Sequence, residues 1–476
     1  MSEFDKILSE LYSRTVHSFY KLDGITDNFL EDELNGSDPT GDKIVVLTEE
    51  QYLQRLRNME QVLNLLGNPQ NDFKVVHIAG TNGKTSTTML TASLIKSFGL
   101  RCGTFTSPHL KSVCERIEID GEPIAEIDFI DVYHQIMTAI NEFEEQLDFD
   151  DSPLSFFEVL TIMMFQYFSN QMVHFAVIET GLGGRYDATN LVKPEVEIIT
   201  PIAYDHMAIL GNNLEEIAMH KAGIIKPGTQ VVIADNDKPE ITALLTSEAE
   251  EIGAKPIVEN RNIFVQESEM AVGGQAVTFE TTRGVYQEIP LSLFGEHQAH
   301  NALVSLAAVE ELFSETDVID EGVVRDAFLG VKVPGRFEQL KKDNLDDITV
   351  IVDVAHNPQG AEVLAKTISS RDDFDFTIGV IAMSEDKDVD TYIANIQDSF
   401  DYVIATQYNM DRSMSADDLE EVLLDYFETD RVQVVDSVSL ALERAKQLGS
   451  DYKTKFKDKN PVVIVTGSVY TVGEIY

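Results

Sequence analysis

Val75-Val76-His77-Ile78-Ala79, running on into Gly80-Thr81-Asn82-Gly83-Lys84-Thr85-Ser86, reads as a buried strand, a glycine turn and a helix start. The two glycines let backbone amides curl around phosphate oxygens, and the helix N-terminus adds positive potential. From such a turn Lys84 reaches the outer phosphates, and Thr85 or Ser86 can ligate Mg²⁺. The spacing is G-x-x-G-K-T, because Ile78 stands where the strict phosphate-loop pattern has its first glycine. A glycine turn without a nucleotide role is the competing reading, and the strand–turn–helix order weighs against it. The chain is read as nucleotide-binding.

Around this loop the pattern is α/β. Apolar positions at helical spacing (Phe4, Ile7, Leu8, Leu11, Tyr12) predict an amphipathic helix over 3–22, followed by an acidic loop over 23–43. Thr48 ahead of Glu49-Glu50-Gln51 caps a second helix toward Leu66. A helix over 86–98 follows the glycine turn. Strands at 173–180, 196–201 and 231–234 alternate with helical stretches, which argues a mainly parallel sheet. Residues 255–292 read as a small antiparallel sheet, and 298–313 as a helix. After Pro334-Gly335 the alternation restarts, with strands at 350–354, 376–381, 402–406, 432–435 and 462–466. The expected layout is a P-loop-type, mainly parallel ATPase domain over 1–334 and a smaller Rossmann-like α/β domain over 335–476.

Composition narrows the function. A length of 476 residues suggests two or three domains, and 43% hydrophobic residues support packed globular structure. No apolar run approaches the length of a membrane span, and Met1-Ser2-Glu3-Phe4-Asp5 has no signal-peptide character. The only two cysteines, Cys102 and Cys114, form no metal or redox motif, which fits a reducing cytoplasm. With 36 basic against 82 acidic residues the net charge is −46, which argues against nucleic-acid binding. A nucleotide site survives in such a field because screening acts over about 8 Å at physiological salt. The acidity fits either a high-salt cytoplasm or a drift toward a soluble surface, and bears on habitat more than chemistry.

Four further polar islands follow strands, where ligands gather in open α/β sheets. The first is Thr106-Ser107-Pro108-His109-Leu110 with Glu115-Arg116, by pattern an ordinary loop. The second runs Glu179-Thr180-Gly181-Leu182-Gly183-Gly184-Arg185-Tyr186-Asp187-Ala188-Thr189-Asn190. Glu179 closes an apolar strand, so its charge needs either Mg²⁺ or an ion pair with Arg185. The third comprises Tyr204-Asp205-His206 and His220-Lys221-Ala222-Gly223-Ile224, in which Lys221 by pattern alone is a solvated helix lysine. The fourth comprises His297-Gln298-Ala299-His300-Asn301, Gly335-Arg336-Phe337-Glu338 and Asp353-Val354-Ala355-His356-Asn357-Pro358.

In this order the islands make the chain resemble folylpolyglutamate synthase and its bifunctional dihydrofolate synthase relatives, among the Mur-ligase-like ATP-dependent amide ligases. The resemblance runs from about Tyr52 to Val472. It departs at Val354, where the family commonly has glycine, and at Thr180, where it usually has valine. It implies ligation of L-glutamate to a reduced folate or dihydropteroate at the expense of ATP, in a monomer that binds small molecules and neither nucleic acid nor membrane. Gly80, Thr81, Asn82, Gly83, Lys84, Thr85 and Ser86 would hold the ATP phosphates, with Asn301 facing adenine and Arg336 reaching the phosphates. Thr85, Ser107, Glu179 and His206 would ligate Mg²⁺, two ions in all. Lys84, Lys221, Asp353 and His356 would be catalytic, with Lys221 carbamylated. A cell-wall Mur ligase is the less favoured relative, because about seventy residues ahead of the loop are short for a UDP-sugar domain.

Overall fold

Strands alternating with amphipathic helices can be covered on both faces only in a largely parallel sheet. The computed structural model, which describes residues 2–19, 47–147, 152–313, 318–340 and 348–476, contains two sheets of this kind. The chain divides into two units. One holds the described residues up to Ser292 together with Gln298–Lys332, the other Leu293–His297 and Val333–Tyr476.

The first unit is built on an eight-stranded sheet of β1 (Lys74–Ala79), β2 (Cys102–Phe105), β3 (Ile117–Ile119), β4 (Glu122–Pro123), β5 (Phe175–Glu179), β6 (Val196–Ile199), β7 (Gln230–Ile233) and β8 (Lys255–Val258). Their spatial order is β4-β3-β2-β5-β1-β6-β7-β8. All neighbours run parallel except β2–β3 and β3–β4. β1 therefore lies between β5 and β6, and the turn at its C-terminal end opens between theirs. One face is packed by Glu126–Glu144, Phe156–Asn170, Leu214–Ala222 and Pro239–Ile252, and Lys84–Ser97 runs along the other. Ser155 caps Phe156–Asn170 in a reciprocal box with Glu158. That helix buries Val159, Leu160, Ile162, Met163 and Phe165 without residual exposure, so its apolar content comes from tertiary burial on more than one side. Arg55 grips Glu158 and ties Glu49–Leu65 to the same layer.

A three-stranded antiparallel sheet follows, β9 (Phe264–Ala271), β10 (Gly274–Glu280) and β11 (Val285–Leu291). The expected small sheet over 255–292 thus begins later, at Phe264. Lys255–Val258 instead completes the large sheet as β8, because Ile257 and Val258 bury against β7. The predicted opening helix is found as Glu3–Phe19, whereas the acidic loop at 23–43 lies outside the described residues.

The second unit carries β12 (Glu338–Gln339), β13 (Thr349–Val352), β14 (Phe376–Ile381), β15 (Tyr402–Ala405), β16 (Val432–Val434) and β17 (Pro461–Thr466). They are ordered β12-β13-β17-β14-β15-β16, all parallel but for β12. No helix among the described residues is long and apolar enough to cross a membrane.

Candidate active site

The turn after β1 is shaped by two glycines that nothing else could replace. Gly80 has φ of +153°, and a Cβ there would stand 1.8 Å from Thr200 Oγ1. Gly83, at φ +89°, would meet Asn301 Oδ1 at 2.6 Å, so the missing side chain is what lets Asn301 approach the loop. Thr81 pins the turn to the segment after β6: its N–H donates to Pro201 O at 2.9 Å and its hydroxyl to Ala203 O at 3.1 Å. Gly83 is also the left-handed N-cap of Lys84–Ser97, which makes the helix start two residues earlier than expected. Ser86 is buried in its first turn.

Two amines converge on this turn. Lys84 Nζ donates to Gly80 O and to Thr81 O, each at 3.2 Å. Lys221 Nζ reaches the same Gly80 O at 2.6 Å from the helix Leu214–Ala222. Lys221 is only 5% exposed, which overturns the solvated-lysine reading by pattern. Burial, reinforced by the Lys84 charge and opposed by Asp205 and Asp187, lowers its pKa to about 7.

Glu179 closes β5 at 1% exposure and accepts a hydrogen bond from Thr85 Oγ1 at 2.9 Å. Two hard oxygen donors side by side suit a hard divalent cation such as Mg²⁺. Ser107 and His206 occupy separate loops, after β2 and after β6. Ser107's loop is braced by Glu115, which accepts from Leu110 N at 2.9 Å and Ser112 N at 2.8 Å. In the same loop, burial followed by the Arg116 charge holds His109 down to about 4. His206 is half exposed, 3.8 Å from Asp205. Among the described residues no three His, Cys, Asp or Glu side chains converge as metal ligands do.

The second unit assembles its own cluster where β13 ends. Asp353 accepts from Phe337 N and Ala355 N, both at 2.8 Å. Burial raises its pKa, and the Arg336 guanidinium is the first influence to oppose this, with His356 also contributing. The three predicted residues of this unit therefore share one neighbourhood. His356 Nδ1–H donates to Val354 O at 2.9 Å, which fixes the tautomer that keeps the proton on Nδ1. Beyond β14, β15 and β17 the structure adds groups that sequence reasoning passed over. Ser384 Oγ meets Tyr408 OH at 2.6 Å, and Arg412 pairs with Asp386 at 2.8 Å beside Lys387. The available signal was a polar run, Ser384-Glu385-Asp386-Lys387, directly after an apolar strand.

Residues 78–309 match the Mur ligase middle domain, and residues 335–469 the Mur ligase glutamate ligase domain. The dihydrofolate synthase/folylpolyglutamate synthase of Mycobacterium tuberculosis is 36% identical over 463 residues, spanning 91% of this chain and 94% of that protein. The chain belongs to this family of Mur-type ligases. The fold agrees: Mycobacterium tuberculosis folylpolyglutamate synthase complexed with ADP superposes with a TM-score of 0.85 at 34% identity, covering 99% of this chain and 97% of that one. Escherichia coli FolC in complex with DHPP and ADP matches with a TM-score of 0.73 at 27% identity, over 94% and 95% of the two chains. As a member of the dihydrofolate synthase/folylpolyglutamate synthase family the chain is an ATP-dependent folate glutamate ligase.

Proposed function

We propose that this ligase adds L-glutamate to tetrahydrofolate through an acyl phosphate, with residues 1–334 binding ATP and 335–476 presenting the amino acid. The observation that carries this reading is the pair of amines, Lys84 and Lys221, on Gly80 O beside the Glu179–Thr85 contact. A carboxylate is a poor electrophile, so its oxygen first takes the γ-phosphoryl group of ATP. The amine of glutamate then attacks the acyl carbon, and phosphate leaves. The Gly80–Ser86 backbone holds the ATP phosphates through amides other than that of Thr81, which is given to Pro201 O, and Lys84 neutralises charge that builds on the transferred group. Asn301, in reach of Gly83, faces the adenine.

Thr85, Ser107, Glu179 and His206 are the residues we assign to Mg²⁺, which when bound supplies charge neutralisation at the phosphates. Lys221, with its pKa near 7, holds a fraction of free amine at neutral pH, as reaction with CO₂ to a carbamate requires. Arg336, Asp353 and His356 serve the phosphoryl group and incoming glutamate from the second unit. Two free, buried cysteines accord with a cytoplasmic home.

Dihydropteroate is the second acceptor to consider, because a relative of the same fold is known with DHPP. Glutamate-dependent phosphate release from Mg-ATP, measured in parallel with tetrahydrofolate and dihydropteroate, separates the cases. Release with tetrahydrofolate is expected. Release with dihydropteroate alone overturns the proposed acceptor, and release with both makes the enzyme bifunctional.

A further inference from the structure

Three residues before Gly80, on the same strand, a histidine sits fully inside the sheet. His77 has no residual exposure, and its Nε2 lies 2.8 Å from Thr189 Oγ1. Burial first, and then the Lys226 charge, lowers its pKa to about 3, so the ring is neutral. Thr189, itself fully buried, approaches Asp187 Oδ1 at 2.5 Å through its hydroxyl. A carboxylate accepts there, so the Thr189 hydroxyl donates to Asp187 and must in turn receive from the Nε2–H of His77. The direction of the chain is therefore His77 to Thr189 to Asp187.

The relay ends on a loop with work to do. Asp187 also accepts from Leu182 N at 2.8 Å and Thr189 N at 3.0 Å, which closes the turn that follows Glu179. Burial pushes the Asp187 carboxyl up, and these hydrogen bonds oppose that rise. Within the same turn, a Cβ on Gly184 would stand 2.7 Å from Lys221 O, and Arg185 N donates to His220 O at 2.8 Å. The turn thus lies against the end of the helix that carries Lys221, and Lys221 Nζ returns to Gly80 O. The circuit begins and ends on β1 and its loop.

We propose that His77 is a positioning residue for the ligase reaction: through Thr189 and Asp187 it sets the turn after Glu179 and hence where the Lys221 amine meets the phosphate loop. The inference rests on the function proposed above. His77 touches no substrate in this role. A side chain that only filled space at this point of β1 would not need a donor, and the strand residues flanking it, Val75, Val76, Ile78 and Ala79, are apolar.

The test uses the full chain with His77→Leu, His77→Gln, Thr189→Val and the double variant His77→Leu/Thr189→Val. Thr189→Val keeps shape and removes the relay hydroxyl, so it reports even where His77→Leu fails to fold. Steady-state kinetics should show kcat falling about 10–100-fold in His77→Leu and Thr189→Val, the range for partners that orient a site from behind, with KM for glutamate unchanged. Gln, whose amide nitrogen can take the place of Nε2, should restore most of kcat. The double variant should be no worse than the poorer single one, as expected of groups acting as one unit. Hydrogen exchange of the 180–190 segment, read without substrates, should quicken in Thr189→Val. Unchanged kcat and exchange in Thr189→Val, equal loss in His77→Gln and His77→Leu, or additive losses would each overturn the proposal. A wild-type chain without glutamate-dependent turnover would instead count against the proposed function, and exchange would still decide the relay.

Discussion

Lys84→Met is expected to cut glutamate-dependent phosphate release by about 10²–10³-fold, the cost of removing one charge-stabilising donor from a transition state. Folding should hardly change. The ammonium bonds only to two carbonyls of its own turn, Gly80 O and Thr81 O, and the side chain is partly exposed, so water can serve those carbonyls. The variant should also alter the neighbouring amine. The Lys84 charge is the second cause of the low Lys221 pKa, so its removal lets that pKa rise. The acid limb of the residual pH–rate profile should therefore move to higher pH. Stopped assays across pH 5.5–9, about one pH unit apart, check both effects, and full turnover in Lys84→Met would remove the lysine from the mechanism.

Lys221→Met should lose turnover by a similar factor, about 10²–10³-fold, and gain stability. The amine is 5% exposed and its pKa falls from 10.5 to about 7 on folding. Between those values the unfolded chain binds a proton that the folded chain lacks, so stability rises with pH across that window and its deficit is complete below about 7. Methionine has comparable volume and no charge to desolvate. At pH 7 the variant should be more stable by about 1–4 kcal/mol, the range seen when buried charges give way to apolar side chains. Above pH 10.5 the gain should vanish. Urea denaturation at pH 7 and 10 measures it. A residue kept against stability is one kept for function, and a destabilised Lys221→Met would mean that its bond to Gly80 O is structural instead.

The phosphate loop was legible because its chemistry is local: two glycines, a lysine and three hydroxyls within seven residues, after an apolar strand. Strand positions in the second sheet were legible for the same reason, since Phe376–Ile381 and Pro461–Thr466 are apolar runs buried on both faces. Lys221 was not, because nothing in its own helix marks burial; Gly184 and Gly80, far away in sequence, enclose it. His77 was hidden for the opposite reason. It sits in a run that reads as pure core, and its partner Thr189 is 112 residues further on. Lys255–Val258 was misread because a four-residue segment alternates too briefly to tell a strand of a small antiparallel sheet from a parallel edge.

In the proposed reaction a substrate carboxylate attacks the γ-phosphoryl group of ATP at this loop. An acceptor labelled with ¹⁸O in its reacting carboxylate tests it directly, with the released phosphate read by mass spectrometry. One ¹⁸O atom should pass into each phosphate as the amide forms. Phosphate free of ¹⁸O, released in step with amide formation, would contradict the acyl phosphate and with it the roles given to Lys84 and Lys221.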